Sequence, residues 1–457
     1  MYFMASTRNN SASIPTTADR FCVIGAGPSG LAVVKNFKQR GIPVDCYEQQ
    51  ASVGGNWVYG SSHSSVYAST HMISSKRLTE YTDFPMPTGY PPYPSHRQAL
   101  EYLRAYADHF DLHPHITLHT SVQRVERNGP HDWQVTVDRQ AEPLPYRGVI
   151  VANGHHWDPL YPQYPGTFDG DVLHSHTYKD PSQLVGKRVL VVGAGNSGCD
   201  IAVDAAQHAT AAWQSMRRGY HFLPKFLYGR PVDACGETLH RWKFPLWLYR
   251  MIAQRLLRIA VGPPERYGLP APDHRLFETH PIINSQMLYF VGHGKIRVKP
   301  DISRLEGGRV HFVDGSTESI DLIIFATGFR VSFPFLDHQW LNWHDGQPRL
   351  YLNAFHPELD DLFVAGLTQP NSGQWQLTDY QAQLMACYLV AQRRQLPEAD
   401  WFRERKRRDA LDLGSGVRYV ASPRHGIEVE YFSYRRRLQR LLSRMGSGRL
   451  ISWPTAG

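Results

Sequence analysis

The sequence predicts an α/β protein with two doubly wound, parallel-sheet domains, the second inserted into a discontinuous first. Two stretches carry that reading. One is Phe21-Cys-Val-Ile-Gly25-Ala-Gly27-Pro-Ser29-Gly30; the other is Arg188-Val-Leu-Val-Val-Gly193-Ala-Gly195-Asn196-Ser197-Gly198. Each is a short β-branched apolar run, then Gly-x-Gly-x-x-Gly, then a helical pattern. That is the strand–turn–helix of a Rossmann-like dinucleotide unit. The first glycine allows the tight turn, the second lets the backbone approach a pyrophosphate, and the third lets helix pack on strand. The helix N-terminus offers free N–H groups and a positive dipole to phosphates.

A third observation separates the two units. The strand Val44-Asp-Cys-Tyr-Glu48 ends in an acid eighteen residues past Gly30, placed to accept hydrogen bonds from a ribose 2′-hydroxyl. The matching strand Ala211-Ala-Trp-Gln-Ser-Met216 has no acid at its end and runs into Arg217-Arg218, starting nineteen residues past Gly198. Two guanidiniums suit a 2′-phosphate. The first site therefore reads as FAD or NAD and the second as NADP. The bland alternative for Arg217 and Arg218 is a solvated pair on a loop.

At 457 residues the chain has length for about two to four domains. The net charge of +8 does not point to nucleic acid, because the basic residues are scattered and two anionic cofactors ask for positive sites. The run Arg403-Glu-Arg-Lys-Arg-Arg408 reads as a solvated helix face. The five cysteines, Cys22, Cys46, Cys199, Cys235 and Cys387, form neither a CxxC pair nor a metal-ligand spacing. A reducing, cytoplasmic compartment is expected. Residues 1–17 are rich in Ser, Thr and Asn and read as a flexible tail without the apolar core of a signal peptide. No apolar run approaches the about 18 residues that span a bilayer, so no transmembrane segment is expected.

Along the chain, 21–48 reads β-α-β. Gly54-Gly55-Asn56-Trp57 is a turn with an aromatic, and 83–94 is too proline-rich for helix or central strand. Ser95 caps a helix over 97–110 with Leu100, Leu103, Tyr106 and Phe110 on one face. Strands follow near 116–125, 133–137 and 148–152, the last ending in Ala152-Asn153-Gly154. A linker carries Phe168-x-Gly170-x-x-x-His174-x-x-x-Tyr178-Lys179. Over 220–281 the β-α rhythm is lost, and a helical insertion is expected. Within it 246–261 is amphipathic, with Arg250, Gln254 and Arg258 at four-residue steps. That helix lies on a membrane surface, covers the site, or packs on its own domain. Strands return at 309–313, 321–328 and 361–366, then a helix at 378–392 and basic helices at 402–408 and 429–442. The expected division is a first domain over 18–182 and 320–457 with the second over 183–319 between. No internal repeat is expected beyond the two glycine units.

With these motifs in order, the chain resembles the flavin-containing monooxygenases. The resemblance rests on 25–30, Gly54-Gly55-x-Trp57, the Phe168-to-Tyr178 element, 193–198 and Phe325-Ala-Thr-Gly328, and covers roughly residues 20–389. Baeyer–Villiger relatives typically carry Trp at the position of Tyr178. Tyr178 with Lys179 is similar to the branch that oxygenates nitrogen and sulfur. The absence of CxxC argues against disulfide reductases of similar layout. The resemblance implies that NADPH reduces FAD, that O2 adds at flavin C4a, and that a soft nucleophile takes the distal oxygen of the hydroperoxide. The flavin carries the hard chemistry and the protein supplies position and dryness.

By the same resemblance Gly25, Gly27, Ser29, Gly30, Glu48, Gln49, Gly55, Asn56 and Trp57 hold FAD, with Met72 and Val122 beside it. Gly193, Gly195, Asn196, Ser197, Gly198, Arg217 and Arg218 hold NADPH. Ala326, Thr327 and Gly328 close a strand between the domains, and Thr378, Gln381 and Ala382 start a helix whose N-terminus faces the flavin pyrimidine. Tyr178 and His174 either border the cofactors or only orient the domains. Trp57 is either a flavin-loop residue or a core aromatic.

One departure stands out. The family usually places an Asn near the flavin before the stretch leading to Asp-Phe-Pro. Counting back from Asp83-Phe84-Pro85 and Lys76 reaches Ile73, preceded by Ser69-Thr70-His71-Met72. Ile73 cannot hydrogen-bond an oxygenated flavin. His71, Thr70 or Ser74 takes the role from a shifted register, or the intermediate is less protected, or His71 merely packs by the ring. The expected partners are a small-molecule substrate and O2, with no nucleic acid. Peripheral membrane contact and a homodimer are left open. Besides N- or S-oxygenation, Baeyer–Villiger or carbon hydroxylation and an NADPH-oxidising flavoprotein with a sensing or binding role remain as alternatives.

Overall fold

The computed structural model describes residues 19–241, 246–446 and Trp453; the tail expected over 1–17 lies outside them. Ten strands build the two main sheets. In chain order they are β1 Phe21–Ile24, β2 Val44–Tyr47, β3 Ile116–Thr117, β4 Gly148–Val151, β5 Asp171–His174, β6 Arg188–Val192, β7 Ala211–Ser215, β8 Ile296–Lys299, β9 Leu322–Phe325 and β10 Leu362–Val364. The helices are α1 Pro28–Gln39, α2 Lys76–Thr79, α3 His96–His109, α4 Asn196–His208, α5 Val232–Arg241, α6 Leu246–Ala260, α7 Gln286–Gly292, α8 Trp375–Arg393, α9 Pro397–Arg408 and α10 Tyr431–Arg444.

The first sheet has the order β10-β4-β1-β2-β3 and the second β5-β9-β6-β7-β8. Every pairing in both is parallel. Continuous apolar strands produce this, because a parallel sheet is covered on both faces. In β1, Phe21 and Val23 face a core shared with α1 and α8, while Cys22 and Ile24 face Trp133 and Val135 of an antiparallel meander over 122–146. In β6, Val189 and Val191 face α4, while Leu190 and Val192 face Val310 and Phe312 of a second meander. Cys22 and Cys46 are buried, unpaired members of these cores.

The repeat is thus larger than the two glycine turns. Each half runs strand, glycine turn, helix, strand, third strand, antiparallel meander and central strand, and then leaves through Ala-x-Gly: 152–154 in one half, 326–328 in the other. Apart from the turns and the Ala-x-Gly exits, the repeated quantity is burial pattern and not residue identity.

Four expectations are corrected. The boundaries at 182/183 and 319/320 divide the second sheet, leaving β5 and β9 on the far side of each, although both strands belong to that sheet and pair with each other. The 168–179 element is accordingly no free linker: His174 closes β5. Helix α8 begins at Trp375, a turn before Thr378. Helix α3 keeps its Ser95 cap, with Gln98 completing a capping box, but buries Ala99, Tyr102, Leu103, Tyr106 and Ala107, with Leu100 only half-buried and Phe110 at the C-cap.

The proline-rich loop is anchored by charge. Lys35 on α1 is 1% exposed and its Nζ donates to Asp83 at 2.9 Å and to Asp379 of α8 at 3.0 Å. Asn36 donates to the same Asp379 carboxylate at 2.7 Å. A buried lysine without such partners is strongly disfavoured, which explains why the loop must close here.

Candidate active site

The two glycine turns have matching geometry. Gly25 and Gly193 open them at φ +102° and +107°, left-handed values that a residue with a Cβ resists. A Cβ on Gly30 would lie 1.8 Å from the Gly25 carbonyl oxygen, and one on Gly198 would lie 2.1 Å from that of Gly193. Both helices therefore sit directly on their strands, with N-termini aimed past the turn. In the first unit Gly55, at φ +54°, brings a second glycine backbone against Gly27; a Cβ there would meet the Gly27 Cα at 2.8 Å. The result is a cradle of bare backbone.

Glu48 closes that cradle. It is 4% exposed and accepts from the N–H of Ala26 at 2.8 Å and of Gln50 at 2.9 Å. Burial raises its pKa, against the pull of those two N–H groups. Gln49 beside it is exposed, and Val122 begins the meander at the edge of the core. Asn56 is spent internally, its Oδ1 accepting from the Ser65 N–H at 2.8 Å. Trp57 meets Trp375, the first residue of α8, edge to face at 5.5 Å. The glycine loop and the start of α8 are thereby fastened together. Gly366 lies between Ser29 and Thr378: a Cβ on it would fall 2.1 Å from the Ser29 Oγ and 3.5 Å from the Thr378 Oγ1. Gln374 donates to the Gly366 carbonyl at 2.6 Å. Gln381, expected at the cofactor, is fully buried; it accepts from the Gly366 N–H at 3.1 Å and donates to the Tyr434 hydroxyl at 2.7 Å, so it is a strut of the α8–α10 core.

In the second unit Asn196 grips the insertion, donating to the Pro281 carbonyl at 3.1 Å and accepting from the Ile283 N–H at 2.8 Å. Gly195 is its cap residue and Ser197 is half-buried beside it. Arg217 is exposed at the end of β7; Arg218 pairs with Asp273 at 3.3 Å. The two arginines are therefore not equivalent, and Arg217 is the one free of that acid.

The two exits cross. Beyond Ala152-Asn153-Gly154 and Ala326-Thr327-Gly328, the strands Asp158–Pro159 and Phe329–Arg330 pair antiparallel. Thr327 donates to the Leu160 carbonyl at 2.5 Å, and Asn153 donates to the Ser332 carbonyl at 3.0 Å. Both glycine turns abut these exits, so both sites open towards one seam. His174 packs there, its ring 5.2 Å from that of Phe329. It is fully buried, its Nδ1 accepts from the His176 N–H, and burial first, then His176, lowers its pKa to about 4. It is neutral at pH 7. Tyr178, expected beside a cofactor, is also fully buried and donates to Asp204 at 2.9 Å; it belongs to the core of the second unit and does not open on the seam.

The segment 67–75, which carries His71 and Ile73, is held by three acids of the second unit and its insertion. Tyr67 donates to Asp200 at 2.9 Å, Ser69 to Asp204 at 2.7 Å, and the Ser75 N–H to Asp233 at 2.7 Å. Burial pushes Asp200 up to about 6, with Lys225, Tyr67 and Asn284 opposing. His71 is exposed and its Nδ1 lies 3.0 Å from the Ser69 carbonyl of its own segment. Met72 is buried in the first core, and Ile73 is half-buried. Sequence reasoning missed the three acids. Asp200 and Asp204 did carry a signal: two carboxylates four apart in an otherwise apolar helix that begins at a glycine turn.

This arrangement defines a class of protein with two Rossmann-like nucleotide-binding units whose glycine turns face one seam. Among the described residues there is no cluster of metal ligands, and no helix is long and apolar enough to cross a membrane. The family profile described as flavin-binding monooxygenase-like matches residues 18–446. The chain is 32% identical to human flavin-containing monooxygenase 5 over 448 residues, which is 91% of this chain and 81% of that one. The chain belongs to the flavin-containing monooxygenase family, and FAD and NADPH are its cofactors. Among solved structures it is similar in fold to S-allyl-L-cysteine S-oxygenase from Allium sativum, with a TM-score of 0.65 and 20% identity over 93% of this chain and 88% of that one. Cyclohexanone monooxygenase gives a TM-score of 0.69 at 19% identity, over 93% and 98%.

Proposed function

We propose that this enzyme oxidises NADPH and passes one oxygen atom of O2 to a small nitrogen- or sulfur-containing nucleophile, the other atom leaving as water. The observation that supports this best is the pair of matched bare-backbone cradles opening on one seam, one ending in buried Glu48 and the other in exposed Arg217. FAD would lie along 25–30, with Glu48 on its adenosine ribose and the Gly54-Gly55 turn against its pyrophosphate. NADPH would lie along 193–198, with Arg217 on its 2′-phosphate. The flavin supplies the redox chemistry. The chain orients the two cofactors, and Ile73 brings an apolar side chain to the segment held between the two units. The second unit runs from the strand Gly166–Phe168 to β9, and the first comprises what precedes and follows it. That none of the five cysteines forms a disulfide supports a reducing, cytoplasmic compartment.

A second reading, NADPH oxidation without oxygen transfer, draws on Ile73, which brings no hydrogen-bond donor where the family usually has Asn. The two separate in one experiment. Enzyme, NADPH and 18O2 are incubated with panels of tertiary amines, thioethers and ketones, and products are read by mass spectrometry. A product heavier by one 18O atom supports oxygenation. NADPH consumed with equimolar peroxide and no labelled product in any panel overturns it in favour of the second reading.

A further inference from the structure

Helix α4 carries an acid where its counterpart in the first unit carries none. Counted from the glycine turns, Asp200 of α4 stands where α1 has Ala32, a fully buried small residue. A carboxylate taken out of water needs partners, and each of its oxygens has one. Oδ2 accepts from the Tyr67 hydroxyl at 2.9 Å, and Oδ1 accepts from the Asn284 side-chain amide at 2.6 Å. Neither partner is free to turn away. Tyr67 is buried in the core of the second unit. Asn284 accepts at its own Oδ1 from the N–H groups of Gln286 and Met287, at 2.9 Å and 2.7 Å, so its NH2 end points at Asp200.

The start of α4 is left for a ligand. Its cap residue is Gly195, which has no side chain to cap with. The Asn196 side chain is engaged instead with Pro281 and Ile283. A phosphate is the natural acceptor for the first N–H groups of such a helix, and the nucleotide assigned to this turn carries one. Asp200 lies one helical turn beyond Asn196 on the same face. Asp204 lies a turn further and accepts from Ser69 at 2.7 Å. One short helix therefore meets the nucleotide with its first turn and the 67–75 segment with its next two. Ile73 stands on that segment, four residues past Ser69.

We infer that Asp200 is a positioning residue that passes the order imposed on α4 by NADP(H) to the 67–75 segment, so that the segment bearing Ile73 is held more tightly in the nucleotide-bound enzyme. The inference rests on the proposed placing of NADPH along 193–198 and is independent of which substrate is oxygenated. A bound nucleotide fixes the first turn of α4; Asp200, rigidly joined to that turn, then fixes the Tyr67 hydroxyl. Asp233, the third acid on the segment, belongs to the insertion and has no such link to the glycine turn.

Hydrogen–deuterium exchange of the FAD-bound enzyme, read by mass spectrometry with and without NADP+ at concentrations that saturate each variant, tests this. The amides of Ala68, Thr70 and Met72 donate to the carbonyls of Lys179, Tyr67 and Pro94 at 2.7, 2.9 and 2.9 Å, so their exchange reports opening of the segment. In the parent, NADP+ is expected to slow exchange over 67–75 at least about fivefold. Asp200→Ala removes both contacts and Tyr67→Phe only the hydroxyl; each should cut that slowing below about twofold, while NADP+ still slows the peptide over 193–198. A merely structural Asp200 would give faster exchange with and without NADP+ alike, the slowing factor unchanged. That result, or a parent in which NADP+ slows 193–198 but not 67–75, overturns the inference and leaves the NADPH site standing. A parent in which NADP+ slows neither peptide overturns both. Should Asp200→Ala fail to fold, Tyr67→Phe decides: a slowing factor equal to the parent's overturns the inference, and its loss supports it.

Discussion

At Gly30 and Gly198 a single methyl group is enough to separate the two nucleotide sites. Its carbon would overlap a backbone carbonyl in either turn, at 1.8 Å and 2.1 Å, so helix must move off strand. Overpacking of this kind costs about 1–3 kcal/mol. Gly30→Ala is expected to empty the FAD site, read as loss of the yellow flavin absorbance. Gly198→Ala should keep FAD and lose reduction by NADPH, read by anaerobic stopped flow; a variant reduced at the parent rate contradicts the assignment. Arg217 and Arg218 make the same kind of distinction with charge. A charge-assisted contact to phosphate contributes about 1.5–3 kcal/mol, roughly tenfold or more in affinity. Because Arg218 already pairs with Asp273, Arg217→Ala should remove most of the preference for NADPH over NADH and Arg218→Ala little of it, as the ratio of kcat/KM values. At Ile73 the expected outcome is leakage. Without a directed donor the reactive oxygen species loses about 0.5–1.5 kcal/mol of hydrogen bonding, so peroxide per NADPH consumed should be high without substrate and lower in Ile73→Asn. If Ile73→Asn leaves the yield unchanged and His71→Ala raises it, the stabilising role belongs to His71.

Among the elements, the one to watch is the 67–75 segment. It has little regular structure, yet Asp200, Asp204 and Asp233 hold it at three points. Asp204 accepts from both Ser69 and Tyr178; removing its carboxylate leaves the buried Tyr178 hydroxyl unsatisfied, whereas exposed Ser69 turns to water. Asp204→Ala should destabilise by about 1–3 kcal/mol for that buried hydroxyl, measured as a lower urea midpoint. Combining it with Tyr178→Phe should cost less than the sum of the two single changes. Strict additivity in that cycle would mean that the buried contact carries no weight. This clamp also explains a misreading. The sequence reads 168–179 as a linker whose His174 and Tyr178 either border the cofactors or orient the domains, but it cannot show that His174 ends a strand paired with β9 or that Tyr178 turns inward onto α4.

For the whole molecule, buried histidines set an acid limit. His174 and His356 are each lowered to about 4 by burial, first aided by His176 and by Lys406 respectively. They stay neutral in the fold, whereas an unfolded histidine protonates near 6.5. Their contribution to stability is full above about pH 6.5 and is lost as the pH falls towards 4. Asp200, raised to about 6, works the other way, favouring the fold as the pH falls from about 6. The informative quantity is therefore a difference. His174→Gln should flatten the decline in urea midpoint between pH 6.5 and 4.5 relative to the parent chain. An unchanged slope would show that His174 is not held neutral.

Local grammar made the two glycine turns, Glu48, the apolar central strands and the Ser95 cap legible, because each is set by a few adjacent residues whose conformations and burial periodicity depend on little else. What the sequence by itself determined is thus a flavoenzyme with two unlike nucleotide units. Only the tertiary structure decided where those units begin and end, since β5 and β9 are adjacent through pairing across about 150 residues of chain. The same holds for the crossing of the Ala-x-Gly exits, the distinction between Arg217 and Arg218, and the contact of Asn284 with α4. Asp273 and Asn284 act on residues far away in sequence, and their effects are set by packing and charge between elements, for which spacing along the chain carries no signal.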